Sequence, residues 1–168
     1  YNLTSSTLSK RKYWHIPNNL IKVSDAKNDI NSKLNKFEEL LEDSVSKQMQ
    51  ADVPVGILLS GGIDSSLITA MAARNSKEVN TFSISFPGNK KFDESDHARL
   101  ISNYFKTNHH ELEAESSSAE IIPLLIQQFD EPIVDSSMIP TYIVSNLVSK
   151  YCKVALGGDG GDELFGGY

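Results

Sequence analysis

Apolar positions change their period several times along the chain, and each change marks a boundary between predicted elements. Ile30, Leu34, Phe37, Leu41, Val45 and Met49 recur at three- or four-residue steps, with Asp, Glu and Lys on the other face, which predicts an amphipathic packing helix. "VGILL" (55–59) is a continuous apolar run, the pattern of a strand buried on both faces. "SSLITAMAAR" (65–74) reads as a helix of good formers, and "NTFSISF" (80–86) alternates like a strand before the turn signal "PG". "SDHARLISNYF" (95–105) predicts a helix with Ser95 as N-cap, and "HHELE" (109–113) a short strand. "SAEIIPLLIQQF" (118–129) is helical provided that Pro123 lies in the first turn. "IPTYIVSNLVSKY" (139–151) starts well for a helix at Pro140, and "CKVAL" (152–156) forms a last strand.

Strands that alternate with helices predict βαβ units and an α/β fold: a Rossmann-like open, mostly parallel sheet flanked by helices. In such sheets a ligand sits beyond the carboxyl ends of the strands. Two glycine-rich loops fall there, "SGGIDSS" (60–66) and "GGDGGDE" (157–163), and both should lie on one rim. Residues 1–28 are polar and irregular and read as a linker from something upstream. Tyr13, Trp14 and Ile16 would suit an extended strand, but Pro17 and the Asn pair break it. The chain opens on Tyr1 and stops after "FGGY", so it is read as a piece of a longer protein.

Composition narrows the classes. The 168 residues suit one domain with a real core, and 39% hydrophobic with 23% charged content is ordinary for a globular protein. A formal net charge of -6 argues against a nucleic-acid partner, whose phosphates call for clustered Lys and Arg. The run "KRK" (10–12) reads as solvated. No apolar run approaches the roughly 20 residues of a membrane span, so no membrane partner is expected. Cys152 is the only cysteine, which rules out an intrachain disulfide and favours an intracellular, cytoplasmic home. It reads as a small hydrophobe on a strand.

The two loops carry the chemistry. Gly61 and Gly62 let the backbone turn and approach a ligand closely. Ser65 and Ser66 open a helix, so their amides, with the hydroxyls of Ser60, Ser65 and Ser66, make an anion site. Asp64 is expected to N-cap that helix, where it suits a bridging Mg²⁺ better than phosphate itself. The loop is neither GxxxxGK[ST], nor GxGxxG, nor the nucleophile elbow GxSxG, and none of His15, His97, His109 and His110 is placed by sequence as a base for Ser60. In the second loop, glycines surround Asp159 and Asp162, the mark of backbone near a ligand with a metal or cationic group. The acidic spacing excludes an EF-hand. A plain strand-end loop with surface acids is the structural alternative.

"SGGIDSS" resembles the PP-loop, S-G-G-x-D-S-S, of the ATP pyrophosphatases, enzymes that split ATP into AMP and pyrophosphate. Others of that group make GMP, NAD and argininosuccinate. "FDEPIVDSSMIPTYIVSNLVSKYCKVALGGDGGDELFGGY" is similar to the synthetase domain of glutamine-dependent asparagine synthetases, with their D-E-P stretch and (S/G)-G-(D/E)-G-(G/S)-D-E-x-F-G-G-Y. "RKYWHIP" (11–17) resembles the join to their N-terminal glutaminase domain. The resemblance covers nearly the whole chain and implies an adenine nucleotide alpha hydrolase-like domain at 29–168, truncated at its C-terminus.

It also implies roles. Ser60, Gly61, Gly62, Asp64, Ser65 and Ser66 would hold the pyrophosphate end of ATP, with Asp64 toward Mg²⁺. Leu58 and Ile84 fall where the family contacts adenosine, and Gly157 and Gly158 would approach the ribose and α-phosphate. Asp159 matches the acid important for forming β-aspartyl-AMP, and Asp162 the acid near the aspartate substrate or metal. No chemistry follows for Asp130 and Glu131. The implied reaction turns aspartate into asparagine with ATP, and a glutaminase domain absent from this chain supplies the ammonia. The glutaminase Cys nucleophile is missing, Cys152 being in the wrong place, so glutamine hydrolysis is not expected. Alone, the chain is expected to bind ATP weakly and turn over poorly. The resemblance leaves room for a homodimer. Other readings are a related amidotransferase acting on a sugar acid, peptide or β-amino acid, a catalytically silent ATP-binding module, and an interaction domain whose glycine loops are only structural.

Overall fold

A computed structural model describes residues 4–15, 30–88, 93–114, 118–129, 131, 134–135 and 137–167. The chain divides into two compact units, Tyr1–Lys36 and Phe37–Tyr168. In the smaller unit, Thr4–Ser6 form a turn and residues 8–15 are exposed and irregular. Tyr13 and Trp14 lie in no strand, and Ile16 lies outside the described residues.

The elements are α1 (Ile30–Gln48), β1 (Val55–Leu58), α2 (Ile63–Asn75), β2 (Asn80–Ser85), α3 (Ser95–Phe105), β3 (Asn108–Glu113), a 3₁₀ turn (Ser118–Ile121), α4 (Ile122–Gln128), α5 (Met138–Ser149), β4 (Val154–Leu156) and α6 (Gly161–Phe165). The four strands form one sheet in the order β3-β2-β1-β4, every neighbouring pair parallel. Chain order reverses about β1, whose neighbours are β2 and β4, so the loops leaving β1 and β4 emerge side by side.

The run VGIL is apolar throughout because β1 is covered on both faces. On one face Ile57 packs with Val45 of α1, Met71 and Ala72 of α2, and Val79. On the other, Phe82 packs with Leu147 and Val148 of α5 and with Cys152. Gly56 makes room for this second cluster, since a Cβ there would run into the Phe82 ring and lie 3.3 Å from Cys152 Sγ. Complete burial of a side chain such as Phe82 stabilises by about 1.5–3 kcal/mol, so each face contributes a large part of a typical domain's margin. The stripe of α1 is buried only at Val45, while Ile30 and Leu34 are exposed.

Several boundaries move. α2 starts at Ile63 with Gly62 as N-cap, so Asp64 is a first-turn residue and not the cap. Gly62 can hold the extended cap conformation while the residues after it are already helical. α3 is capped at Glu94, not Ser95, whose amide is taken by Asp93 Oδ1 at 3.0 Å. The helix expected over 118–129 is a 3₁₀ turn followed by α4, with Pro123 in the first turn of α4, where its missing N–H does no harm. Cys152 precedes β4 because its amide still closes α5, bonding Val148 O at 2.8 Å. Among the described residues no helix is long and apolar enough to cross a membrane.

Candidate active site

Past β1 the chain turns at Gly61, with φ of +90°. A Cβ at Gly61 would lie 2.6 Å from His97 Cβ and 2.8 Å from the Ala98 amide nitrogen, so the loop is pressed against the first turn of α3. Ser60 Oγ accepts the Gly62 amide at 3.2 Å and lies 3.1 Å from Ser65 Oγ, which donates to Gly62 O at 3.2 Å. These bonds brace the loop and occupy the hydroxyls that a nucleophile would need free. The first amides of α2 are those of Ile63, Asp64 and Ser65, which have no carbonyl one turn back within the helix. The Ser66 amide, expected as a free donor, is instead bonded to Gly62 O at 3.1 Å, because the helix starts earlier than the sequence pattern predicts.

The loop after β4 meets this turn directly. A Cβ at Gly158 would lie 3.0 Å from both Asp64 Cβ and Ser65 N, and one at Gly161 would strike the Asp64 carboxylate. The Asp159 carboxylate folds back over Gly157, where a Cβ would sit 2.5 Å from its Oδ2. Gly160, with φ of +90°, leads into α6, which ends at Gly166 with φ of +71°. Phe165 sets its ring edge-on to Phe37 of α1, 5.1 Å between centroids, and so ties α6 down.

Together the loops wall an open cavity of about 730 Å³, within the usual few-hundred-Å³ scale of small-molecule sites. From the β1 side it is lined by Leu58, Ser60, Gly62, Asp64 and Ser65, and from the β4 side by Gly157, Gly158, Asp159 and Asp162. Gly61 and Ser66 are not in this wall. Ile84 lines a second hollow of about 230 Å³ with Phe82, Pro140 and Val144, and this hollow shares Leu58, Ser60 and Glu94 with the first. Asp130 lies outside the described residues, and Glu131 is exposed.

Sequence reasoning missed Glu94, Ile63 and Phe165 as wall residues. Phe165 and Glu163 sit inside a motif already noted, but Glu94 precedes an ordinary helix and only the packing of Gly61 on α3 brings it here. The charge is lopsided. Asp64, Glu94, Asp159, Asp162 and Glu163 face the cavity, and no Lys or Arg lines it among the described residues. Among the described residues, a polyphosphate here would meet helix amides but no Lys or Arg. That donor set fits Mg²⁺, which keeps its waters and takes one or two carboxylates plus phosphate oxygens. Asp64 and Asp162 would supply those carboxylates. Among the described residues no cluster of three or more His, Cys, Asp or Glu forms a closed metal cage, and a phosphate-shared Mg²⁺ does not require one.

Residues 36–168 match the family described as asparagine synthase. The chain belongs to that family. It is 39% identical to a putative asparagine synthetase [glutamine-hydrolyzing] 2 of Methanocaldococcus jannaschii, over 100% of this chain and 32% of the relative. It is 32% identical to asparagine synthetase B [glutamine-hydrolyzing] of Escherichia coli, over 86% of this chain and 29% of the relative. The chain thus spans about a third or less of these relatives. Among solved structures it resembles an NH3-dependent NAD synthetase from Campylobacter jejuni (TM-score 0.54, 21% identity, 80% of this chain and 60% of that one). An NMN synthetase from Francisella tularensis is similar in the same way (TM-score 0.57, 18% identity, 83% and 59%). These likenesses show the Rossmann-like α/β fold of the domain.

Proposed function

We propose that the cavity binds ATP with Mg²⁺ and that the protein to which this domain belongs amidates aspartate to asparagine. One observation carries the reading: Gly158 and Gly161 pack against Asp64 and Ser65, which makes the two glycine loops a single wall. A triphosphate laid along that wall meets the first amides of α2 on one side and glycine backbone on the other. Leu58 and Ile84 suit the adenosine end. Asp64 and Asp162 would hold Mg²⁺, which neutralises phosphate charge when bound.

The chemistry asks little covalent help of the protein. A carboxylate oxygen of the aspartate side chain attacks the α-phosphorus, the bond to the β-phosphate oxygen breaks, and pyrophosphate leaves. Ammonia then attacks the acyl carbon of β-aspartyl-AMP, loses a proton, and expels AMP to leave the amide. The domain's part is to align the acceptor in line with the leaving pyrophosphate and to supply donors where charge develops. Asp159 and Asp162, on the α-phosphate side, would position the aspartate ammonium group and the metal. Ammonia would come from a glutaminase domain joined through residues 1–28, and a cytoplasmic setting, where these metabolites are supplied, belongs to the same reading.

The test is pyrophosphate–ATP exchange by the full-length protein without ammonia, across a panel of carboxylates. Exchange that requires aspartate is the expected result. Exchange with a sugar acid or β-amino acid but not aspartate would replace the substrate, and no exchange with any carboxylate would remove the activity.

A further inference from the structure

Among the described residues, Glu94 is the one charged residue shared by the two hollows. The smaller hollow is largely apolar, with Phe82, Ile84, Pro140 and Val144, whereas the larger is glycine backbone and carboxylates. A nucleotide that puts its base in the first and its phosphates in the second must carry its sugar past the shared wall of Leu58, Ser60 and Glu94. We infer that Glu94 reads the ribose, accepting hydrogen bonds from the sugar hydroxyls and so selecting ribonucleotides over 2′-deoxyribonucleotides. The inference rests on the nucleotide-binding reading proposed above.

Four features support it. The backbone of Glu94 is fixed, because its carbonyl accepts the amides of His97 at 3.0 Å and Ala98 at 3.1 Å. Those two residues are the ones pressed on Gly61, so Glu94 is held next to the phosphate loop. Its side chain makes no capping hydrogen bond to α3, and the residue lines both hollows. Finally, a carboxylate accepts hydrogen bonds and cannot donate them. Beside phosphates it would be repelled, whereas beside a pair of sugar hydroxyls it is matched, as with the acids that hold a ribose hydroxyl in dinucleotide sites.

The experiment is calorimetric binding of ATP and of 2′-deoxy-ATP, each with MgCl₂, to the full-length protein and its Glu94→Ala and Glu94→Gln variants. A hydrogen bond to a charged group predicts that wild type favours ATP by roughly 10-fold or more. Glu94→Ala should bring ATP down to the 2′-deoxy-ATP level while leaving 2′-deoxy-ATP affinity unchanged or slightly better. Glu94→Gln should keep part of the preference, since its amide oxygen still accepts. Equal wild-type affinity for the two nucleotides, or a preference that survives Glu94→Ala, would overturn the role of Glu94 and leave the nucleotide site standing. Equal weakening of both nucleotides with a changed Mg²⁺ dependence would reassign the carboxylate to the metal and overturn it too. Failure of wild type to bind either nucleotide would overturn both this inference and the reading beneath it. Far-UV circular dichroism of the variants, expected to match wild type, keeps these outcomes distinct from misfolding.

Discussion

Gly61→Ala tests whether the loop after β1 is built against α3 as the packing implies. Gly61, Gly88 and Gly160 all have positive φ, at +90°, +83° and +90°. Alanine in that region costs on the order of 1–2 kcal/mol from Cβ–carbonyl crowding. Around Gly88 and Gly160 an added Cβ meets nothing within 4 Å, so strain is the whole cost there. At Gly61 the Cβ would meet His97 Cβ at 2.6 Å and Ala98 N at 2.8 Å, and the second of these is backbone that cannot rotate away. Overpacking of that kind adds roughly 1–3 kcal/mol. Gly61→Ala should therefore lose about 2–5 kcal/mol and the two controls about 1–2 kcal/mol each, out of the ~5–15 kcal/mol typical of a domain. Urea unfolding followed by far-UV circular dichroism measures the difference. Trp14 fluorescence would not serve, because Trp14 is exposed and in the smaller unit. If Gly61→Ala unfolds at the same urea concentration as Gly88→Ala, the contact between loop and α3 is not what demands glycine.

Gly158→Ala should unfold like wild type yet lose nucleotide affinity, since its Cβ at 3.0 Å from Asp64 Cβ and Ser65 N pushes the two loops apart by a few tenths of an ångström; unchanged ATP binding by calorimetry would contradict this. His109 is held between Thr81 Oγ1 at 2.9 Å and Ser83 Oγ at 3.1 Å, and burial, aided by His110 and Arg99 and opposed by Glu111, holds its pKa below the usual histidine value. The unfolded chain then takes up the proton first, so this stability is complete above about pH 6.5 and falls as pH drops through that value. Urea midpoints from pH 8 to pH 5 should decline less in His109→Gln than in wild type, and parallel declines would count against the assignment. Burial pushes the Cys152 thiol up, and at 3% exposure it should react with a thiol reagent only as fast as the chain opens, a rate that urea raises; prompt labelling of the native chain would contradict its burial.

The sheet was legible because period and turn chemistry agree at each strand: "VGILL" is apolar throughout, and the structure covers β1 on both faces. Helix starts were less legible, for a local reason. At 60–66 the hydroxyls of Ser60 and Ser65 and the flexibility of Gly62 compete to end the loop, and Gly62 wins the cap, so α2 begins at Ile63 and Asp64 moves into its first turn. At 93–95 Asp93 captures the Ser95 amide, and that shifts the cap to Glu94.

That second shift bears on function. Wall residues carried by the glycine motifs can be found by spacing, because the motif and the cavity wall are largely the same few residues. Glu94 has no such signature, since what makes it a wall residue is the absence of a Cβ at Gly61, more than thirty positions earlier. Without that absence α3 could not approach the loop after β1, and the two hollows would lack their shared charged wall. The same glycine thus shapes the loop locally and admits a distant carboxylate, and only the first effect is written in the pattern around it.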